Sequence, residues 1–207
     1  AVKANPDIEV IKYLSSFQIG FEIASEGELA ILKQLNIEAE RIITSNPIKT
    51  FKFLREAAEY GIDYFAFDSV AEVDKLAKYL PGKKVYVRLS VPNEGSEWPL
   101  SKKFGVEIEE AVKLLIYARK KGLDPVGITF HVGSQCSNVY NWHIAIDKAH
   151  QVKEQAFKEG IEIKMLNIGG GYPIQYLKKV PDIETIELKI NSLLQEYFPE
   201  TEIFIEP

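Results

Sequence analysis

Short runs of apolar, β-branched and aromatic residues alternate along the chain with longer segments whose apolar positions recur at helical spacing. The runs are Ala1-Val2, Gln18 to Phe21, Arg41 to Ile43, Tyr64 to Phe67, Val85 to Val91, Gly127 to Phe130, Lys164 to Ile168 and Glu202 to Ile205. Each reads as a strand. Most lack polar alternation, which predicts burial on both faces, as in a parallel sheet covered by helices. Between them, Ile108, Val112, Leu115, Ile116 and then Arg119 follow the i, i+4, i+7, i+8, i+11 pattern of one buried stripe ending in a polar residue. Ile186, Ile190, Leu193, Leu194 and Tyr197 repeat it.

The joints fit this alternation. Asn5-Pro6 and Asn46-Pro47 each set an N-cap residue before a proline at the first helical position. Ser25-Glu26-Gly27-Glu28 and Ser69-Val70-Ala71-Glu72 each match a capping box. Eight strands with helical connections allow an open doubly wound sheet or a closed barrel, and a count of eight favours the barrel. Early units of roughly 20–25 residues approach the ~30 per unit of such barrels. The loop Pro92 to Phe104 and the stretch after His131 read as insertions. The expectation is one (β/α)8 TIM-type barrel domain over residues 1–207, truncated at the last helix.

With 46% apolar and 27% charged residues, the chain is neither disordered nor of low complexity. No apolar run nears the ~18 residues of a membrane span. The 25 basic and 30 acidic side chains leave a net charge of −5 without a basic block, which argues against nucleic acid as a partner. The single Cys136 excludes a disulfide scaffold and suits a reducing, cytoplasmic compartment. The chain opens at Ala1 and closes at Pro207, both at strand ends, as an excerpt would, so its lack of a leader says little about location.

Barrel chemistry sits at the carboxyl ends of the strands. There stand Lys3, Glu22, Ser45-Asn46, Asp68, Arg88, His131, Gly169 to Gly171 and Glu206. Taken singly, each has a plain explanation: a solvated lysine, a core histidine, a flexible turn, a loop carboxylate. Together they offer a reactive amine, an aromatic cation or stacker, a phosphate cradle and a carboxylate across the mouth. Pyridoxal phosphate has the complementary parts: an aldehyde for a lysine, a phosphate for glycine-rich backbone, a flat ring, and a ring nitrogen that a carboxylate keeps protonated. Cys136 reads as inert. His143 and His150 are seven apart, ~10.5 Å along a helix, so no metal site is expected.

Ala1-Val2-Lys3-Ala4-Asn5, Phe130-His131-Val132-Gly133-Ser134, Gly169-Gly170-Gly171-Tyr172-Pro173 and Glu206-Pro207 together resemble the ordered signatures of the pyridoxal-phosphate decarboxylases acting on ornithine, diaminopimelate and arginine. Their cofactor domain is an alanine-racemase-like barrel (fold type III). Phe21-Glu22-Ile23-Ala24-Ser25 and Trp98-Pro99-Leu100-Ser101-Lys102-Lys103-Phe104-Gly105 look most like the ornithine decarboxylase branch. The resemblance implies that Lys3 is the Schiff-base lysine and His131 stacks on the ring. It also implies that Ser134 with Gly169, Gly170 and Gly171 binds the phosphate, and that Glu206 pairs with the ring nitrogen. Arg88 looks like the family's arginine near the ring, and Glu22 stands where an acid, more commonly Asp, lies near the lysine. The implied reaction is decarboxylation of L-ornithine to putrescine, the step that supplies polyamine synthesis. Lysine, diaminopimelate or arginine decarboxylase, an amino-acid racemase, or a non-catalytic antizyme-inhibitor-like homologue are the alternatives. The family pattern continues with Gly-Arg and a β-rich domain that completes the site across a homodimer, so residues 1–207 alone are expected to be inactive.

Overall fold

The computed structural model describes residues 1–98, 103–177 and 179–207. Pro99 to Lys102, within the tryptophan-containing motif at 98–105, lie outside them. Seven parallel strands form one sheet: β1 Phe21–Glu22, β2 Ile42–Thr44, β3 Tyr64–Phe67, β4 Lys84–Arg88, β6 Asp124–Thr129, β8 Met165–Asn167 and β9 Glu202–Phe204. Two further strands, β5 Ser96–Trp98 and β7 Ser134–Cys136, pair antiparallel over the carboxyl rim. They belong to the two segments that the sequence reads as insertions. The helices are α1 Ile8–Ser15, α2 Glu26–Gln34, α3 Phe51–Tyr60, α4 Val70–Tyr79, α5 Ile108–Lys120, α6 Tyr140–Lys158 and α7 Ile183–Tyr197.

Strand order in the main sheet follows chain order without reversal. An open doubly wound sheet reverses at a switch point, so that alternative falls. The sheet also curls. Tyr64 on β3 and Phe204 on β9, four neighbours away, bring their rings within 6.5 Å. On the concave side Ile43, Ala66, Tyr86 and Met165 form a small apolar cluster. Gly127 makes room for it, since a Cβ there would sit 3.0 Å from the Cβ atoms of Tyr86 and Met165. The larger core lies between the convex face and the helices. There α5 buries Ala111, Val112, Leu114, Leu115 and Ala118; of the predicted stripe, Val112 and Leu115 are buried while Ile108 and Ile116 are only half-buried.

Three local expectations are corrected. Val2–Ala4 is a 3-10 turn and not a strand, so the described sheet has seven parallel strands instead of eight. Asn5-Pro6 does not start α1: Asp7 is the N-cap, accepting from the N–H groups of Glu9 and Val10. Asn46-Pro47 likewise lies in a loop, and Thr50 caps α3 by accepting from Phe53. An Asn side chain can bond the backbone two residues on and make a turn of its own, as Asn46 does with Ile48 N–H. Ser25 and Ser69 do cap α2 and α4.

Candidate active site

Lys3, carried on the 3-10 turn, sends its Nζ to within 2.8 Å of Glu22 Oε2 at the end of β1. The lysine side chain is half exposed and the glutamate buried. Burial pulls the Lys3 ammonium down, but the charge and hydrogen bond of Glu22, helped by Glu206 and Glu28, outweigh it, and the net shift is upward. Burial and the charge of Glu206 push the Glu22 carboxyl up against the pull of Lys3. Glu22 Oε1 is buried without a hydrogen-bond partner.

His131 follows β6. Burial, reinforced by the positive charge of Arg88, lowers its pKa to about 4. Its Nδ1 accepts the Gly133 N–H at 3.0 Å, which leaves the proton of the neutral ring on Nε2. A neutral ring does not fit the reading of His131 as an aromatic cation. Arg88, at the end of β4, lies 5.2 Å from the Phe104 ring centre. Burial lowers its pKa while Glu206, Asp68 and Glu22 oppose that shift. Asp68 accepts the Gly105 N–H at 2.9 Å and so ties down the end of the insertion.

Gly169 to Gly171 follow β8, and their lack of side chains is a packing requirement. A Cβ on Gly169 would meet Phe130 O at 2.3 Å, one on Gly170 would meet Glu206 O at 2.3 Å, and one on Gly171 would meet Gly133 O at 2.2 Å. The turn is thus wedged between the ends of β6, β7 and β9. Cys136 N–H, from β7, donates to Gly171 O at 2.9 Å and holds it there. Among the described residues, the N–H groups of Gly170 and Gly171 and the hydroxyl of Ser134 have no hydrogen-bond partner. Cys136 itself is buried and its thiol is pushed up by that burial, which agrees with the inert reading.

Glu206, past β9, is buried. Its Oε1 accepts hydrogen bonds from Ser45 Oγ and Asn167 Nδ2. Tyr86 Oη lies 3.1 Å from Ser45 Oγ. All nine residues expected at the site therefore stand at the carboxyl rim or on the β7 strap above it. Sequence reasoning missed Tyr86, Asn167 and Lys49. Asn167 could have been noticed as the one polar residue in the run Met165 to Ile168. Lys49 is fully buried, donates to the carbonyls of Asn46 and Ala66, and pairs with Glu72 at 3.0 Å. Burial, partly offset by Glu72, lowers its pKa to about 8. It pins the loop that carries Ser45.

An uninterrupted parallel α/β sheet, with an amine, a neutral imidazole, a glycine turn and carboxylates gathered on its carboxyl rim, defines a cofactor-binding domain. The chain belongs to the pyridoxal-dependent decarboxylase family, whose pyridoxal-binding domain matches residues 1–207. It is 37% identical to the lysine/ornithine decarboxylase of Selenomonas ruminantium over all of this chain and 53% of that protein. It is 35% identical to the ornithine decarboxylase of Schizosaccharomyces pombe, over all of this chain and 47% of that one. Antizyme inhibitor 2 of Xenopus laevis is 34% identical over all of this chain and 46% of its own length. The crystal structure of the arginine decarboxylase of Paramecium bursaria Chlorella virus bound to agmatine superposes with a TM-score of 0.91 at 31% identity, over all of this chain and 55% of that one. The chain spans about half the length of these relatives.

Proposed function

We propose that the protein containing this chain decarboxylates a basic amino acid with pyridoxal phosphate, L-ornithine to putrescine before lysine, arginine or diaminopimelate. The observation that carries this reading is the convergence of Lys3, His131 and Glu206, from the start, middle and end of the chain, on one rim. The fit to the cofactor rests on unsatisfied polar groups: Glu22 Oε1 and the Gly170 and Gly171 N–H groups. When bound, pyridoxal phosphate supplies an electron sink for the bonding pair left when carbon dioxide departs.

The chain's own residues do the rest. Lys3 supplies the amine for covalent attachment. It must shed a proton to act as a nucleophile, and Glu22 Oε2 at 2.8 Å is in position to take it. His131 offers an uncharged face to a flat ring. Gly169, Gly170, Gly171 and Ser134 give hydrogen-bond donors to a phosphate. Glu206 would accept a hydrogen bond from a protonated ring nitrogen, and Arg88 would add positive charge beside the ring. A cleft of about 640 Å³ runs between β1 and β9, lined by Phe21, Glu22, Tyr64, Phe204 and Glu206. An eighth strand lying there would close the curl into a barrel. We assign residues 1–207 to one such domain, acting within a homodimer of the whole protein.

A non-catalytic, antizyme-inhibitor-like role is the second reading, favoured by the match to antizyme inhibitor 2. Retention of Lys3, His131, the glycine turn and Glu206 speaks for catalysis. Assaying carbon dioxide release by the full-length protein with ornithine, lysine, arginine and diaminopimelate tests the proposal. Turnover fastest with ornithine is expected, and no release from any of the four would overturn it.

A further inference from the structure

The hydrogen bonds around Ser45 have only one consistent direction. Asn167 Oδ1 accepts the Gly169 N–H at 2.9 Å, so the Asn167 amide must turn its Nδ2 the other way. That nitrogen carries two protons, and it reaches both Glu206 Oε1 and, at 3.2 Å, Ser45 Oγ. A serine hydroxyl has one proton and two acceptor sites. Asn167 occupies one acceptor site, and Tyr86 Oη at 3.1 Å fills the other by donating. The single Ser45 proton is then committed to Glu206 Oε1. Both donors converge on that oxygen, and Glu206 Oε2 has no hydrogen bond among the described residues.

We propose that Ser45 and Asn167, with Tyr86 behind them, are positioning residues that divide the labour between the two Glu206 oxygens, tying Oε1 to the protein and keeping Oε2 for a protonated ring nitrogen. Asn167 adds a second link, because its other end holds the first N–H of the glycine turn. The ring-nitrogen acceptor and the phosphate cradle are therefore fixed by one side chain. The buried Lys49 clamp on the Ser45 loop serves the same end. This inference rests on the assignment of Glu206 to the ring nitrogen.

The test compares two ligands on the full-length protein: pyridoxal phosphate, and its 1-deaza analogue with C–H in place of the ring nitrogen. Both keep the aldehyde and the phosphate, so their affinity ratio isolates the contact with Glu206. Absorbance titration of the natural protein is expected to favour pyridoxal phosphate by about 10-fold or more. Ser45→Ala is expected to lose most of that preference and Ser45→Thr to keep it. A preference retained in Ser45→Ala, whatever its melting temperature, overturns the positioning role. No preference in the natural protein overturns the Glu206 assignment itself. If Ser45→Ala does not fold, Tyr86→Phe, which removes only one oxygen, is expected to lower the ratio by a few-fold. An unchanged ratio in that variant overturns the proposal.

Discussion

Ser45 and Glu206, 161 residues apart in sequence, are joined by a hydrogen bond. Ser45 follows the second strand of the sheet and Glu206 the seventh, so the bond forms only because the sheet curls until its two sides face each other. The same curl lets the amine of Lys3 feel the charge of Glu206. Fold and candidate chemistry are thus one feature: the curvature that buries Tyr86 and Met165 also assembles the rim.

Glu206→Gln keeps the shape of the side chain and removes its charge. The variant is expected to fold and to bind pyridoxal phosphate. Its turnover should fall by ~10²-fold or more, the usual scale for losing one electrostatic contact to developing charge. Steady-state kinetics of the full-length protein reads this directly.

Gly170 has no need of a left-handed backbone, only of space, because a Cβ would lie 2.3 Å from Glu206 O. Gly122 is the converse case, with φ +82° and nothing within 4 Å. Gly122→Ala should cost about 1 kcal/mol, the strain of the backbone alone. Gly170→Ala must push the glycine turn off Glu206 and should cost about 2 kcal/mol or more, with loss of cofactor affinity. Urea unfolding of both variants checks the order.

His131 makes stability depend on pH with a defined sign. Its pKa falls from 6.5 to about 4 on folding, so between those values the unfolded chain takes a proton that the folded protein refuses. Stability therefore drops as pH falls through that window, by up to about 3 kcal/mol from this residue. The raised Glu22 works in the opposite direction, so the His131 contribution is the difference between the natural protein and a His131 variant. His131→Asn keeps an acceptor at the δ position for Gly133 N–H and should flatten the fall between pH 7 and 4.5 in denaturant titrations.

Residue pattern alone carries the strand phase, and with it the rim, because Phe65 to Phe67 and Val85 to Val87 are buried runs followed at one level by the polar Asp68 and Arg88. It fails where a signal is short or has two meanings. Ala1-Val2 is too brief to show a period, and it forms a turn. Asn46-Pro47 fits a helix start and an Asx turn equally well, and the buried Lys49 contacts decide for the turn. Ser69 caps α4 as expected, yet Glu72 abandons the reciprocal bond for Lys49 and Lys75 at 3.0 and 2.6 Å. Lysine is rarely buried, so nothing local marks Lys49 as the exception. Tyr86 and Asn167 escape for a related reason: their partners lie on strands far away in sequence, and a polar group inside an apolar strand gains meaning only once those strands are adjacent.

Reduction with sodium borohydride of the full-length protein loaded with pyridoxal phosphate, followed by peptide mass mapping, tests the central claim most directly. The account predicts one fixed adduct, on Lys3, that disappears in Lys3→Ala. An adduct on any other lysine with Lys3 unmodified, or no adduct at all, would contradict it.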